Sequence, residues 1–138
     1  MRALALLPMF FAGVCAFAQD WTIIKTPGAN IQFAVDLSSL QSEEGVVNFK
    51  ERLVYEKADK IDPTSGVAIK EKLVHRVMDC DNRTQGMLSG SMRNEAGGLI
   101  EMITYDRSQL VMAPIPPGTL AEYELELVCK KSKAQSAK

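Results

Sequence analysis

Apolar and polar residues alternate with a period of two along most of the chain between residues 20 and 105. Successive side chains of a β-strand point to opposite faces of a sheet, so this period is typical of strands with one buried face. Turn-forming residues such as glycine, proline and asparagine separate the alternating runs. The pattern therefore predicts an antiparallel sheet of about six strands. The predicted strands cover residues 20–25, 31–36, 47–55, 67–80, 84–93 and 99–105.

Two of the turns predict β-hairpins. The polar segment 59–66 contains a proline and a glycine and lies between two long alternating runs. Residues 94–98 separate two further runs and combine an asparagine with two glycines, which favours a tight turn. Residues 37–45 are expected to form another turn region. Glu51 interrupts the apolar face of the third strand, which indicates a bulge or an open side of the sheet at this position.

The C-terminal region is ambiguous by period, but its end signals favour a helix. Three prolines between residues 111 and 118 exclude a central strand there, since proline donates no ladder hydrogen bond. Residues 122–127 alternate as a strand would. Thr119 and Glu122 have the spacing of a capping box, and lysines follow the segment, as the helix dipole favours. We therefore predict one C-terminal helix. Its inward stripe would comprise Ala121, Leu125, Val128 and Cys129.

The first 18 residues have the features of a signal peptide. A positive charge stands near the start, and the apolar run that follows is shorter than the roughly 20 residues of a membrane-spanning helix. The run ends in Ala-Phe-Ala at residues 16–18, a pattern that signal peptidase recognises. We predict cleavage between Ala18 and Gln19, which leaves an exported protein without a transmembrane span. Lipidation at Cys15 and a retained membrane anchor are the alternatives. Val14 argues against lipidation, because it precedes Cys15 where a lipoprotein signal has a small residue.

Charge is distributed unevenly along the mature chain. The sequence carries 16 basic and 17 acidic side chains, a formal net charge of -1. All of the acidic residues precede residue 127, whereas four lysines lie between residues 130 and 138. We interpret residues 19–130 as one folded domain and residues 131–138 as a disordered basic tail. The chain lacks the basic excess of a nucleic-acid-binding protein, so no nucleic acid is expected as a partner.

Export places the cysteines in an oxidising compartment. Cleavage after Ala18 removes Cys15 and leaves Cys80 and Cys129. An even pair of cysteines in a small exported domain forms a disulfide by default. A bridge that closes a loop of about 50 residues stabilises the fold by roughly 4 kcal/mol in the chain-entropy model. The sequence has no Cys-x-x-Cys pair that would indicate redox chemistry instead.

The sequence offers little material for catalysis. Its single histidine, His75, alternates with Leu73 and Val77 and is therefore expected to lie on a sheet face. Motifs for phosphate binding, zinc proteases and serine nucleophiles are absent from the sequence. Asp79 and Asp81 do not have the spacing of a calcium-binding loop. We therefore predict no enzymatic activity, no cofactor and no metal site.

Several short elements follow one another in a recognisable order along the mature chain. Residues 35–40 are similar to a V-D-x-x-S-I/L element, residues 79–83 to D-C-x-x-R, and residues 114–119 to P-x-x-P-G-S with threonine in place of serine. In this order and spacing they resemble the surface-adhesin protein E family of small exported Gram-negative proteins. Three single positions complete the resemblance: Trp21, Cys129, and Phe49 where the family often has tryptophan.

The resemblance implies an α+β fold, in which a twisted antiparallel sheet carries one C-terminal helix tied to it by a Cys80–Cys129 bridge. It implies an exported location, in the periplasm or at the outer surface of a Gram-negative cell. It also implies a non-enzymatic, adhesin-like module whose partner is a host matrix or envelope protein. Two alternatives are a structural accessory protein of the envelope and a periplasmic enzyme inhibitor, for which residues 57–66 would supply the protruding loop. The matched elements are turns, caps and cysteines, so they indicate no partner-binding residue.

Overall fold

The computed structural model describes residues 19–24, 30–58 and 60–138. Within these residues the chain forms nine β-strands, one short 3-10 turn at Arg107–Gln109 and one helix, α1, at Leu120–Ser136. The predicted signal peptide, residues 1–18, lies outside the described part. The strands are β1 (Trp21–Ile24), β2 (Ile31–Glu43), β3 (Val46–Tyr55), β4 (Lys60–Ile61), β5 (Ala68–Ile69), β6 (Glu71–Asp79), β7 (Thr84–Arg93), β8 (Leu99–Thr104) and β9 (Ala113–Pro114).

Seven of these strands form one antiparallel sheet. Six of them follow one another in the order β1-β2-β3-β6-β7-β8, and β9 pairs with the beginning of β7. The short strands β4 and β5 pair with each other and extend the hairpin turn predicted at residues 59–66. Together with α1, this arrangement confirms the predicted α+β fold.

The β2–β3 hairpin turns within two residues. Glu44 has a φ of 50° and Gly45 a φ of 81°. Two successive residues with positive φ form the type I′ turn, whose twist matches that of the flanking strands. A Cβ on Gly45 would lie 2.9 Å from Oδ2 of Asp81, so the Asp81 side chain would have to shift to admit another residue there.

β2 is longer than its sequence predicts. The strand continues through the expected turn at residues 37–45 and ends at Glu43. Its pairing with β3 shifts in register between Asp36 and Gln41. The prediction of a turn was therefore wrong for residues 37–43, where the polar residues accompany a β-bulge, and correct for Glu44 and Gly45.

Side-chain oxygens bind the backbone around this bulge. Asp36 is buried, and its Oδ1 accepts hydrogen bonds from the backbone N–H groups of Asp20 and Ser38, both at 3.0 Å. The Ser39 hydroxyl donates to the Asp36 carbonyl oxygen at 2.6 Å and accepts the backbone N–H of Lys50 at 2.8 Å. These bonds take the place of strand-to-strand bonds that the shift removes, which is why polar residues occur inside a strand.

α1 covers one face of the sheet and packs chiefly against β2 and β3. Val35, Phe49 and Val128 are fully buried at this interface. The contacts of α1 with β7 and β8 are fewer. Among the described residues, the buried apolar cluster at this interface consists of Phe33, Val35, Val47, Phe49, Met78, Ile115, Leu125 and Val128.

Both ends of α1 depend on polar residues. Thr119 is the N-cap, and its hydroxyl accepts the backbone N–H of Glu122, while the Glu122 carboxylate accepts the backbone N–H of Gly118 at 2.7 Å. The capping signal thus located the helix start correctly. At the other end the helix continues to Ser136, so the disordered tail expected from residue 131 is wrong for residues 131–136. Ser132 is buried one turn after Val128, which continues the inward stripe past the lysines.

Candidate functional site

The sheet face opposite α1 carries the single histidine. Lys50 of β3 lies directly opposite His75 of β6, and both side chains point away from the helix. A hollow of about 210 Å³ opens here, which we call the open-face hollow. Its side chains come from β3, β6, β7 and β8: Lys50, Leu73, His75, Ser89, Ser91 and Met102.

The surroundings of His75 are not those of a catalytic base. Partial burial lowers the pKa of His75, and the positive charges of Lys50 and Arg107 lower it further. The imidazole is therefore neutral at neutral pH. Both charged groups that act on it are cations, whereas a catalytic histidine is typically oriented and supported by a carboxylate.

The outer edge of the sheet is the second exposed region. β8 pairs with β7 and, within the described part of the chain, with no other strand. Two of its apolar side chains are largely exposed, Leu99 at 53% and Met102 at 67%. Beside β8, on the same side as α1, lies a hollow of about 160 Å³, which we call the helix-side hollow. Its lining is mostly apolar and comprises Lys72, Val74, Met87, Gly90, Ser91, Met92, Glu101 and Ile103.

A charged cluster is buried under α1. Glu51 of β3 is fully buried, and Arg76 of β6 binds its carboxylate through two hydrogen bonds, one of them from Nε to Oε2 at 2.7 Å. Gln85 of β7 accepts a further bond from Arg76 Nη1 at 3.3 Å. Glu51 therefore marks neither a bulge nor an open side. It interrupts the apolar pattern because the Arg76 guanidinium, whose side chain is 22% exposed, lies within hydrogen-bond distance, and a buried carboxylate requires such a partner.

Glu124 of α1 completes this cluster. Its side chain is 1% exposed, and burial raises its pKa far above the ordinary value of 4.5. The negative charge of Glu51 and a hydrogen bond to Glu51 raise the pKa further, whereas Arg76 lowers it. Glu124 is consequently a neutral acid at neutral pH. Its Oε1 has no hydrogen-bond partner among the described residues, and its side chain has almost no access to solvent.

Two contacts hold the start and the middle of α1 on the β6–β7 turn. Cys80 and Cys129 form the predicted disulfide, with 5.9 Å between their Cα atoms. The Arg83 guanidinium forms an ion pair with the Glu122 carboxylate in the first turn of the helix. Arg83 has a positive φ of 52°, which the turn requires at this position. The residues from 79 to 83 and from 114 to 119 therefore position the helix.

The carboxylate of Asp79 is also used within this turn. Its Oδ1 accepts the backbone N–H groups of Asp81 at 3.0 Å and Asn82 at 2.9 Å. Hydrogen bonds from the backbone and then the side chain of Asn82 hold the pKa of Asp79 below its ordinary value. Among the residues that the structure describes, no group of three or more His, Cys, Asp or Glu side chains is arranged to hold a metal ion.

The loop considered for enzyme inhibition is tied to itself. Asp62 is buried, and its Oδ2 accepts both the backbone N–H of Ser65 at 2.7 Å and the Ser65 hydroxyl at 2.6 Å. These bonds hold the pKa of Asp62 below its ordinary value.

In the described ranges, no helix has both the length and the apolar character needed to cross a membrane.

Comparison with known families identifies this arrangement of strands, turn and helix. The family model described as surface-adhesin protein E matches residues 21–130. The chain belongs to the surface-adhesin protein E family. The match begins at β1 and extends past Cys129, so it includes the whole sheet and the disulfide that holds α1.

Solved structures of Haemophilus influenzae protein E are similar in fold to this member of the surface-adhesin protein E family. The crystal structure of protein E from non-typeable Haemophilus influenzae has a TM-score of 0.52 and 13% identity over 78% of this chain and 75% of that chain. A further structure of Haemophilus influenzae protein E has a TM-score of 0.54 and 13% identity over 78% and 83%. No curated protein matches the sequence. At this identity the similarity establishes the fold.

Sequence reasoning found the residues that hold α1 and missed the surfaces beside it. It did not pair Glu51 with Arg76, although both lie at inward positions of adjacent strands, and it did not include Glu124. The helix-side hollow also escaped notice, because Met87 and Met92 fit equally well into a core. The sequence contains no local signal for this hollow, because the hollow depends on how far α1 extends across the strands.

Proposed function

We propose that this protein is an exported, non-enzymatic module that binds another protein at the cell envelope or the outer cell surface. Its membership of the surface-adhesin protein E family carries the proposal. The geometry supports it, because one face and one edge of the sheet expose apolar and basic side chains around Met102 and His75. Exposed apolar surface of this kind is typical of interaction sites.

The titratable groups support binding rather than catalysis. An active site needs titratable groups that a substrate can reach in a cleft. Glu51 and Glu124 have unusual surroundings, but α1 seals them from solvent. The carboxylates of Asp62 and Asp79 accept hydrogen bonds from backbone N–H groups of their own turns. The two charged groups that act on His75, Lys50 and Arg107, are both cations.

The proposal includes an exported location and a single binding domain. It takes residues 1–18 as a signal peptide cleaved between Ala18 and Gln19, and residues 19–130 as the domain. Fractionation of cells that produce the full chain should recover the protein from the periplasm or the outer surface. Recovery from the cytoplasm alone, with residues 1–18 still attached, would contradict this part of the proposal.

Binding is tested directly with the exported protein. Surface plasmon resonance against a panel of purified host matrix proteins, and against periplasmic and outer-membrane fractions, should show saturable binding to at least one component. The heat-denatured protein serves as the control, because it keeps the sequence and the charge and loses the folded surface. The absence of saturable binding to every component would refute the proposed function.

A further inference from the structure

The outer edge strand β8 lacks the features that usually protect a sheet edge. Natural edges carry lysine, proline or a covering segment that prevents another strand from pairing with them. β8 contains neither lysine nor proline, and its one charged residue is Glu101. The pairing irregularity between β7 and β8 lies near Arg93 and Leu99, so the ladder from Glu101 to Thr104 is regular.

The register shows which backbone groups of β8 are available. The backbone N–H of Tyr105 donates to the Leu88 carbonyl oxygen at 2.8 Å, and Thr104 lies opposite Ser89. Inward and outward backbone groups alternate along an antiparallel strand. The N–H and C=O groups of Met102 and Thr104 therefore point away from β7, towards the position of an added strand.

A hollow lies on each side of this edge. Ile103 and Glu101 of β8 line the helix-side hollow, and Met102 lines the open-face hollow. Neighbouring side chains of an added strand would point alternately to the two sides of the sheet. Two successive side chains of a bound segment can thus enter the two hollows.

The chemistry of the two hollows differs. The helix-side hollow has methionines and aliphatic side chains, with Lys72 and Glu101 as its two opposite charges, so it fits an apolar side chain. The open-face hollow contains Lys50, and His75 feels the positive charge of both Lys50 and Arg107. An acidic side chain complements this second surface.

We propose that β8 binds an extended segment of a partner protein as an additional strand, with an apolar side chain in the helix-side hollow and an acidic side chain over the open face. Such strand addition obtains affinity from the backbone and specificity from alternate side chains. This inference rests on the proposed function, since it names the surface by which the module holds its protein partner.

The test uses a fluorescein-labelled peptide that alternates leucine and glutamate and is titrated into the exported protein while anisotropy is measured. A second peptide has the same sequence but is N-methylated at every alternate residue. One of its two edges then has no N–H group with which to pair with β8. We expect saturable binding of the first peptide and a loss of at least about tenfold in affinity for the second, because two backbone hydrogen bonds are removed. Both peptides are tested on the wild-type protein, and equal binding of the two would overturn the inference.

Protein variants locate the site. Met102→Pro and Thr104→Pro each remove an outward N–H that makes no bond to β7, and each should weaken binding of the leucine–glutamate peptide by at least about tenfold. Met102→Thr keeps the N–H and should therefore bind the peptide more tightly than Met102→Pro does. Tyr123→Ala, on the exposed side of α1, should bind as wild type does. Thermal melting shows which variants fold, and the methylated peptide decides the matter if both proline variants unfold.

Two other outcomes separate this inference from the proposed function. If Met102→Pro binds a host or envelope protein as tightly as wild type does, the module binds through another surface and only the inference fails. If sedimentation shows a dimer that Met102→Pro converts to a monomer, a second copy of the chain occupies β8, which also overturns it. If wild type binds neither the peptide nor any protein of the panel, both fail.

Discussion

Glu124 of α1 and Glu51 of β3 lie together between the helix and the sheet, where burial and the negative charge of Glu51 raise the pKa of Glu124. Arg76 holds the other side of the Glu51 carboxylate. Three ionisable side chains therefore share one positive charge, one negative charge and one proton under the helix. This arrangement makes the docking of α1 sensitive both to pH and to the loss of any one member.

The proton on Glu124 should make stability fall as pH rises. The folded-state pKa lies above the unfolded value of 4.5, so this contribution is complete below about pH 4.5 and is lost as pH rises towards the folded pKa. The free energy of unfolding should fall by at most about 1.4 kcal/mol per pH unit in this range. Urea denaturation at a series of pH values measures the slope.

The matched variants for this slope lie on the same helix. Glu124→Gln keeps a hydrogen-bond donor and removes the titration. Between pH 5 and pH 8 its unfolding free energy should therefore change less with pH than that of wild type, and the two slopes should differ by up to about 1.4 kcal/mol per pH unit. Glu126→Gln, at an exposed position, should keep the wild-type slope. A wild-type slope in Glu124→Gln would show that another group carries the pH dependence.

Removal of Arg76 should be strongly destabilising. Arg76→Ala leaves the buried Glu51 carboxylate without its cation, and breaking a buried pair in this way costs about 3–5 kcal/mol. The comparison is Arg52→Ala, which breaks the ion pair with Glu71 on the opposite face, where the two side chains are 41% and 26% exposed. That loss should be about 0–1 kcal/mol. Chemical denaturation of both variants at one pH checks the difference, and similar losses would contradict it.

The Cys80–Cys129 bridge should stabilise the helix more than the sheet. Replacement of both cysteines by alanine should reduce the unfolding free energy by about 2–4 kcal/mol. The hairpins of the sheet are local in sequence, whereas α1 is fixed to a turn far from it, so the helical circular dichroism signal should melt first. Wild type under a reducing agent should behave as the variant does. Two reactive thiols in the native exported protein would contradict the bridge itself.

The exported protein should begin at Gln19 and carry no lipid. Intact-mass measurement of the exported form checks both points. Cys15→Ala should leave the mass and the yield of exported protein unchanged, because Cys15 is removed with the signal peptide. Ala16→Lys should block cleavage, since signal peptidase requires small side chains at this site. A diacylated Cys15 would refute the prediction.

The elements that follow from local chemistry were predictable from the sequence. Thr119 and Glu122 marked the helix start because capping depends on residues three positions apart, and the parity of Val47 and Phe49 marked the buried face. Ser39 was misread as part of a turn. A serine hydroxyl has the same local preference in a turn and in a bulge, and only the position of the neighbouring strand distinguishes them.

The features that depend on distant contacts were not predictable in the same way. Between Glu51 and Glu124 the chain forms most of the sheet. Nothing in the sequence near either residue indicates that α1 brings them together. The helix-side hollow exists because α1 stops short of β8, and the width that a helix covers depends on its angle across the strands. That angle cannot be predicted from the composition or from the hydrophobic periodicity of the sequence.

The order of strands has a practical consequence for attaching the protein to a surface. β1 and β8 occupy opposite margins of the six-stranded ladder, which at the usual strand spacing are about 24 Å apart. Asp20 is fixed beside β1 by its bond to Asp36. A tether or fusion placed before Gln19 therefore leaves from one margin and presents the other to the surroundings. A tether attached beyond Ser136, at the end of α1, does not fix which margin of the sheet faces the surroundings.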